Sequence, residues 1–109
     1  KELLKVGGEN VDPVEVEALL LDHPAVSSAQ IVGVPDGRLR EVACACVVVE
    51  DEQQVAADDI IEFCRGKLAS FKLPRYVLFM REYPMTPSGK VQKYKLREQA
   101  EAELGLTSV

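Results

Sequence analysis

The spacing of apolar residues changes along the chain, and the period of about 3.6 residues predicts three helices. Over residues 12–22, Val16, Leu19 and Leu20 share one face. Asp12 is a candidate cap for this helix, with Pro13 at its first position, and Pro24 is expected to stop it. The same spacing predicts helices over residues 58–68 and 93–104.

Three shorter apolar segments predict strands. Residues 29–34 end at a turn signal, 35–37, and residues 42–49 form a continuous apolar run that is typical of a central strand covered on both faces. We expect these two strands to be antiparallel neighbours, and residues 76–80 to form a third strand. The order of the elements predicts an α+β fold, a small three-stranded sheet packed with helices.

Length and composition indicate one domain over residues 1–109, with no membrane span. The chain has 109 residues, 13 basic and 18 acidic, for a net charge of −5, which argues against nonspecific binding of nucleic acid. Its basic residues concentrate in residues 67–97, a region that suits phosphates. The sequence does not begin with methionine, and we expect it to be a piece of a longer protein.

The cysteines favour a reduced, cytoplasmic protein. There are three, an odd number, and no signal peptide is apparent. Cys44 and Cys46 lie two residues apart in an apolar run, so core packing is favoured over metal binding. Packing or capping is likewise favoured for His23, the only histidine. We expect no metal site in this chain.

Three segments contain residues that could take part in binding or catalysis. Gly7 and Gly8 allow a backbone to approach a ligand closely, just before a helix N-terminus that favours anions. Residues 71–75 place two cations near an aromatic ring, and Lys90 follows a loop stiffened by prolines. Each segment alone also fits an ordinary surface turn. Residues 88–90 do not form a P-loop, because the preceding glycine-rich run is missing.

Taken together, the order and spacing of these segments resemble the C-terminal domain of the adenylate-forming superfamily, which includes acyl-CoA synthetases and the adenylation domains of peptide synthetases. The resemblance rests on KELLKVGGENV at 1–11, Pro13 with Glu15 and Glu17, HPAV at 23–26, GVPD at 33–36, FKLPR at 71–75, PMTPSGK at 84–90 and Leu96-Arg97. It covers nearly the whole chain.

The resemblance implies a lid domain that serves two half-reactions. A carboxylate first attacks the α-phosphate of ATP, and a thiol, usually that of CoA, then displaces AMP. Lys90 matches the catalytic lysine of adenylation, which must neutralise two anions that repel each other. Residues 5–10 match the thioesterification loop, and residues 1–5 the hinge end, with Lys1 at the hinge position.

Further roles are implied for individual residues. Lys5 and Asn10 are candidates to contact AMP or the adenylate, and Gly7, Gly8 and Glu9 to line the path of pantetheine. Candidates for the CoA phosphates are Arg40, Lys72 and Arg75. Arg40 is also a departure, because many relatives have glycine before this glutamate, Glu41. Mg²⁺ is expected to accompany ATP, bound mainly by a larger N-terminal domain that is the expected partner of this one.

Two alternatives stay open at the sequence level: an adenylation domain that loads a carrier protein, and an interaction module without catalysis. The carboxylic acid, fatty or otherwise, is not encoded in this domain, because its pocket is expected in the larger one. We expect the isolated domain to be inactive.

Overall fold

The computed structural model describes residues 2–50 and 55–106. Along the chain the elements are β1 (Leu4–Val6), β2 (Glu9–Val11), α1 (Pro13–Leu20), β3 (Val26–Asp36), β4 (Arg40–Val49), α2 (Ala57–Cys64), a short 3-10 helix (Ser70–Lys72), β5 (Tyr76–Phe79) and α3 (Lys93–Leu104).

A three-stranded sheet in the order β3-β4-β5 forms the centre of the domain. The predicted antiparallel pairing of β3 with β4 is confirmed. In the central strand β4, every residue from Val42 to Val47 is buried, as the continuous apolar run predicted. Strand β5 runs parallel to β4, a pairing that needs a crossover connection, and α2 lies within that connection and packs against β5.

Strand β3 is longer than predicted and continues through the expected turn. Pro35 lies opposite Glu41, and Asp36 opposite Arg40, so the turn itself comes later. An edge strand such as β3 tolerates proline, because one of its sides has no ladder to complete. The Asp36 carboxylate accepts the backbone N–H groups of Leu39 at 2.8 Å and Arg38 at 3.1 Å. The hydrogen bond from Leu39 is the main reason why the pKa of Asp36 is lowered.

Helix α1 begins as predicted, with Asp12 Oδ1 accepting the Val14 N–H at 3.0 Å. It ends at Leu20, two residues before the predicted end, and looser turns continue to His23. His23 has the predicted packing and capping role: its ring packs edge-on against Phe63 at 4.9 Å, and its Nδ1 accepts the Ala25 N–H at 3.0 Å.

The other two helices differ in how well the sequence predicted them. Helix α3 has the predicted bounds, and it is capped at its C-terminus by Gly105, whose φ is 69°. Helix α2 was predicted to reach residue 68 but ends at Cys64. Arg65 is extended there and Gly66 has a φ of 83°, so the backbone leaves the helical region although apolar spacing continues to Leu68.

A hairpin of β1 and β2 precedes α1, and the apolar pattern of the sequence did not predict these strands. Gly7 and Gly8 have φ values of 57° and 89°, and they form the two-residue turn between the strands. Such a turn matches the twist of the flanking strands and strongly prefers glycine. Leu4, Val6 and Val11 are buried and anchor the hairpin to the core.

All three cysteines are buried and free, which agrees with the predicted packing role. Burial raises the pKa of Cys64, and a hydrogen bond with Cys46, together with burial, raises the pKa of Cys44. None of the helices in residues 2–50 and 55–106 is both long enough and apolar enough to cross a bilayer.

Arg40 carries backbone strain that a glycine would relieve. Its φ is 72°, a region that residues with a Cβ rarely occupy, and it is the residue at which many relatives were expected to have glycine. We expect Arg40→Gly to raise the free energy of unfolding by about 0.5–1 kcal/mol, because the relieved strain exceeds the added flexibility of the unfolded chain. Urea unfolding of this chain measures the difference.

The matched control is Arg38→Gly in the same turn, where φ is not positive. This change should lower the free energy of unfolding, because glycine only adds flexibility there. Destabilisation by both substitutions would contradict the assignment of strain to Arg40.

Candidate functional site

Lys90 ends a tight turn that is closed by its own backbone. The Thr86 N–H donates to the Lys90 carbonyl at 2.8 Å, and the Gly89 N–H donates to the Thr86 carbonyl at 2.9 Å. Pro87 takes the first central position of this turn, and Gly89 takes the left-handed position with a φ of 91°. Proline therefore restricts the turn, as the sequence predicted, and glycine allows its left-handed position.

The Thr86 side chain completes the turn. Its Oγ1 accepts the Lys90 N–H at 3.0 Å, so both backbone groups of Lys90 are bonded to one residue. The Lys90 side chain is exposed, and its ammonium forms no ion pair with a carboxylate in residues 2–50 and 55–106. The result is a fixed backbone that presents an available cation.

The base of this turn is tied to the sheet. The Gln92 N–H donates to the Pro84 carbonyl at 2.8 Å, and the hydroxyl of Tyr83 donates to the Cys46 carbonyl of β4 at 2.8 Å. Ser28 Oγ donates to the same hydroxyl at 3.2 Å. Burial raises the pKa of Tyr83, which therefore keeps the proton that it donates.

Just after the turn, Lys93 enters a partly buried polar network with α1 and β3. Its Nζ donates to Glu17 Oε2 at 2.6 Å and to the Ile31 carbonyl at 2.7 Å. The same Glu17 oxygen accepts the Ile31 N–H at 2.8 Å. Because α3 begins at Lys93, this network fixes the chain three residues after Lys90.

The β1–β2 hairpin holds the residues predicted for the second half-reaction. Lys5 and Asn10 lie opposite each other, with both side chains exposed, and Glu9 is exposed beside the turn. The Gly7 N–H donates to the Leu39 carbonyl at 3.1 Å. A Cβ on Gly7 would lie 2.9 Å from Leu39 Cδ2, so a side chain there would require the Leu39 side chain to move.

A cleft of about 220 Å³ separates this hairpin from residues 70–75. It brings together three of the predicted residues: Gly7, Glu9 and Arg75. Its volume is below the roughly 300–1,000 Å³ of sites for drug-sized ligands, so it fits a narrow flexible chain better than a nucleotide. The other lining residues are Val6, Leu39, Val42, Ser70, Phe71 and Leu73.

The three arginine and lysine candidates for phosphate contact do not converge. Lys72 Nζ lies 2.9 Å from Glu15 Oε1, and Arg75 Nη1 lies 3.4 Å from Asp36 Oδ1. The Lys72 contact also means that Glu15 binds a cation on the 3-10 helix. Arg40 is exposed and does not line the cleft. Arg75 is therefore the candidate best placed to meet a ligand in the cleft.

A larger depression of about 460 Å³ lies away from these residues. It is lined by Met80, Glu82, Gln99, Ala102 and Glu103, none of which the sequence singled out. Its two carboxylates would repel a phosphate, so we do not regard it as a nucleotide site.

Two further expectations concern the hinge and metals. Lys1, the expected hinge residue, lies outside the described residues. Within residues 2–50 and 55–106, no group of His, Cys, Asp or Glu side chains could hold a metal ion. This domain therefore offers no described ligand set for Mg²⁺.

The profile of the AMP-binding enzyme C-terminal domain matches residues 15–90. The chain belongs to this family. Both the recognised family and the α+β fold expected for it are confirmed.

The similar proteins include acyl-CoA ligases and synthetases. The medium-chain acyl-CoA ligase ACSF2 of Danio rerio is 47% identical over 97% of this chain. A fatty acyl CoA synthetase of Mycobacterium tuberculosis has 40% identity and a TM-score of 0.85 over 93% of the chain. ATP-bound MatB of Rhodopseudomonas palustris has 34% identity and a TM-score of 0.89 over 93%.

The chain spans 18% of the length of the ACSF2 protein and 20% of each of the two solved chains. These proteins therefore contain a much larger part that this AMP-binding C-terminal domain does not cover.

Sequence reasoning missed several residues that support the candidate site: Thr86, Tyr83, Glu17, Lys93 and Glu41. One sequence signal was the place of Glu17 among the apolar positions of α1, where a carboxylate needs a partner. The partner itself, Lys93, is 76 residues away and cannot be identified from local spacing.

We expect Lys93→Met to lower the free energy of unfolding of this AMP-binding C-terminal domain by about 1–2 kcal/mol. The change leaves the Glu17 carboxylate without its cation, although partial exposure moderates the cost. Urea unfolding measures it. Lys95→Met, on the same helix but exposed, is the control and should change stability by less than about 0.5 kcal/mol. Equal stability of the two variants would contradict a structural role for the network.

Proposed function

We propose that this domain serves both half-reactions of an AMP-forming acyl-CoA synthetase, which converts a carboxylic acid, ATP and CoA into acyl-CoA, AMP and pyrophosphate. The observation that carries the proposal is the Lys90 ammonium, exposed and free of carboxylate partners among the described residues, on a turn where both backbone groups of Lys90 are bonded to Thr86. The chemistry of adenylation requires such a cation.

In the first half-reaction, Lys90 would bridge the attacking carboxylate and the α-phosphate. Both are anions, so their approach costs Coulomb energy, and further charge develops on the phosphate oxygens. A lysine is a compact point charge that contacts both groups, and a preorganised charge needs no rearrangement during the reaction. The Thr86 bonds and the Lys93 network support this role, because they fix the backbone on both sides of Lys90.

In the second half-reaction, the β1–β2 hairpin would guide the thiol. Gly7 and Gly8 carry no side chains, so a pantetheine arm in the adjoining cleft would pass close to the backbone. Glu9 lies at the same cleft, and the exposed side chains of Lys5 and Asn10 are available to AMP. Arg75 would meet a CoA phosphate in exchange for its present contact with Asp36.

The larger partner domain would hold ATP, Mg²⁺ and the acid, and this domain would rotate about a hinge near residues 1–5. The names of the similar proteins support this assignment, since one is described as ATP-bound and others as medium-chain or fatty acyl ligases. They also support a fatty acid as the substrate. Cytoplasmic location stays a prediction, as does inactivity of the isolated domain.

The two alternatives make different demands on the domain. A carrier-protein acceptor would retain the role of Lys90 but would not require a site for the nucleotide of CoA. A module without catalysis would require neither Lys90 nor the hairpin glycines.

Lys90→Ala in the full-length enzyme tests the first role. ATP–pyrophosphate exchange should fall on the order of 10²- to 10³-fold, the effect of losing a preorganised electrostatic group. Thioester formation from premade acyl-adenylate should be retained. Lys95→Ala is the control for removal of an exposed lysine. Normal exchange in the Lys90 variant would refute the proposed role and favour the non-catalytic alternative.

Arg75→Ala tests the identity of the acceptor. If free CoA is the acceptor, its KM should rise roughly 3- to 10-fold, the effect of losing one partly exposed charge-assisted hydrogen bond. The KM for ATP should not change. Steady-state kinetics measure both, with Arg38→Ala as a neighbouring exposed control. An unchanged KM for CoA would refute a contact between Arg75 and CoA, whereas absence of thioester formation with free CoA would favour the carrier-protein alternative.

A further inference from the structure

Glu41 lies at the start of β4, directly beneath the β1–β2 hairpin. Its side chain is only 21% exposed, yet it ends in a carboxylate. Oε2 accepts the Lys5 N–H at 3.0 Å, a contact between residues 36 positions apart. This bond joins the hairpin to the central strand of the sheet.

The Lys5 N–H is available because of the hairpin's register. Val6 pairs with Glu9 beside the two-residue turn, and Lys5 pairs with Asn10. Antiparallel pairs alternate between bonded and non-bonded, so Lys5 is in the non-bonded pair and its N–H points away from β2. Glu41 supplies the acceptor that the hairpin itself lacks.

Gly33 makes the space that the Glu41 side chain occupies. A Cβ on Gly33 would lie 2.6 Å from Glu41 Cδ and 2.6 Å from Oε1, distances that no real contact allows. Gly33 does not have a positive φ, so its backbone would accept alanine. Glycine is therefore required at position 33 because a Cβ would enter the space of the Glu41 side chain, and not because of the backbone conformation.

The charge of Glu41 is balanced from α3. Arg97 Nη2 lies 3.9 Å from Oε1, and the Arg97 Nε lies 3.1 Å from Glu101 Oε2. One carboxylate thus contacts the hairpin through one oxygen and faces a helix cation through the other. This arrangement holds β1 in one place along β4, and the Gly7 bond to Leu39 adds a second point of attachment.

We propose that Glu41 is a positioning residue for thioester formation, holding Gly7 and Gly8 where the incoming thiol passes. This inference rests on the proposed function, because it assigns the hairpin to the second half-reaction. It extends that function to a residue that contacts neither substrate and acts through the Lys5 backbone.

The test separates the two half-reactions in the full-length enzyme. In Glu41→Ala, kcat for thioester formation from premade acyl-adenylate should fall on the order of 10- to 100-fold, the cost of a misplaced but intact reacting group. ATP–pyrophosphate exchange should be unchanged, and it reports that the enzyme is folded. Glu98→Ala on α3, an exposed glutamate, is the matched control.

Two further variants distinguish positioning from other effects. Glu41→Gln keeps an oxygen that can accept the Lys5 N–H, and it should restore most of the rate. Gly33→Ala leaves Glu41 in the sequence but displaces its carboxylate, so it should slow the second half-reaction as Glu41→Ala does. In the Glu41→Ala background the Gly33 change should add little, because both act through one contact.

Gly8→Val serves as the benchmark, because it alters the hairpin directly at a position with open space around it. A slow second step in Gly8→Val with a normal one in Glu41→Ala would overturn the inference and leave the proposed function standing. Equal losses in both half-reactions for Glu41→Ala would also overturn it, since they indicate a general structural role. If Gly8→Val itself reacts normally, the hairpin has no part in the second step, and both claims fail.

Discussion

The ion pair between Glu17 and Lys93 is the contact on which the arrangement of this domain depends. It joins α1, β3 and α3, which are distant in sequence, and it uses the Ile31 backbone as a third partner. Burying two charges is costly unless each is hydrogen-bonded as well as paired, and here each has such additional bonds. Every buried side-chain N or O atom in residues 2–50 and 55–106 has a hydrogen-bond partner, so no unsatisfied polar side chain there competes for the bonds of this ion pair. The fold consequently offers α3 one well-defined position.

Both segments that carry the proposed chemistry are turns too short to be stable alone, and each takes its position from the core. The turn before Lys90 is tied down by Tyr83 and by the start of α3, whereas the hairpin at Gly7 is tied down by Glu41. A rigid core that presents two separately anchored turns suits the proposed role, in which a larger partner domain meets a different turn in each half-reaction. Because the two turns have separate anchors, a change that displaces one turn can leave the other in place.

The sequence predicted what regular spacing encodes and missed what distant contacts decide. Helix α3 was located from its helical spacing, the buried run of β4 from its uninterrupted apolar residues, and the turn before Lys90 from its prolines. Strands β1 and β2 have three residues each, which is too few for a period to appear. The parallel direction of β5 and the early end of α2 depend on pairing and on the backbone at Gly66, which apolar spacing does not reveal. The contact of Glu41 with the Lys5 backbone could not be predicted, because it joins residues 36 positions apart and uses the space left by Gly33.

The burial of Cys44, Cys46 and Cys64 gives this domain a practical advantage for following its movement. Maleimide reagents need an accessible thiolate, and these thiols are enclosed by the sheet and helices. A single cysteine introduced at an exposed position of α3 would then be the reactive thiol within the described part of the domain. A fluorophore attached there would report in real time the rotation that we propose for this domain against a larger partner domain.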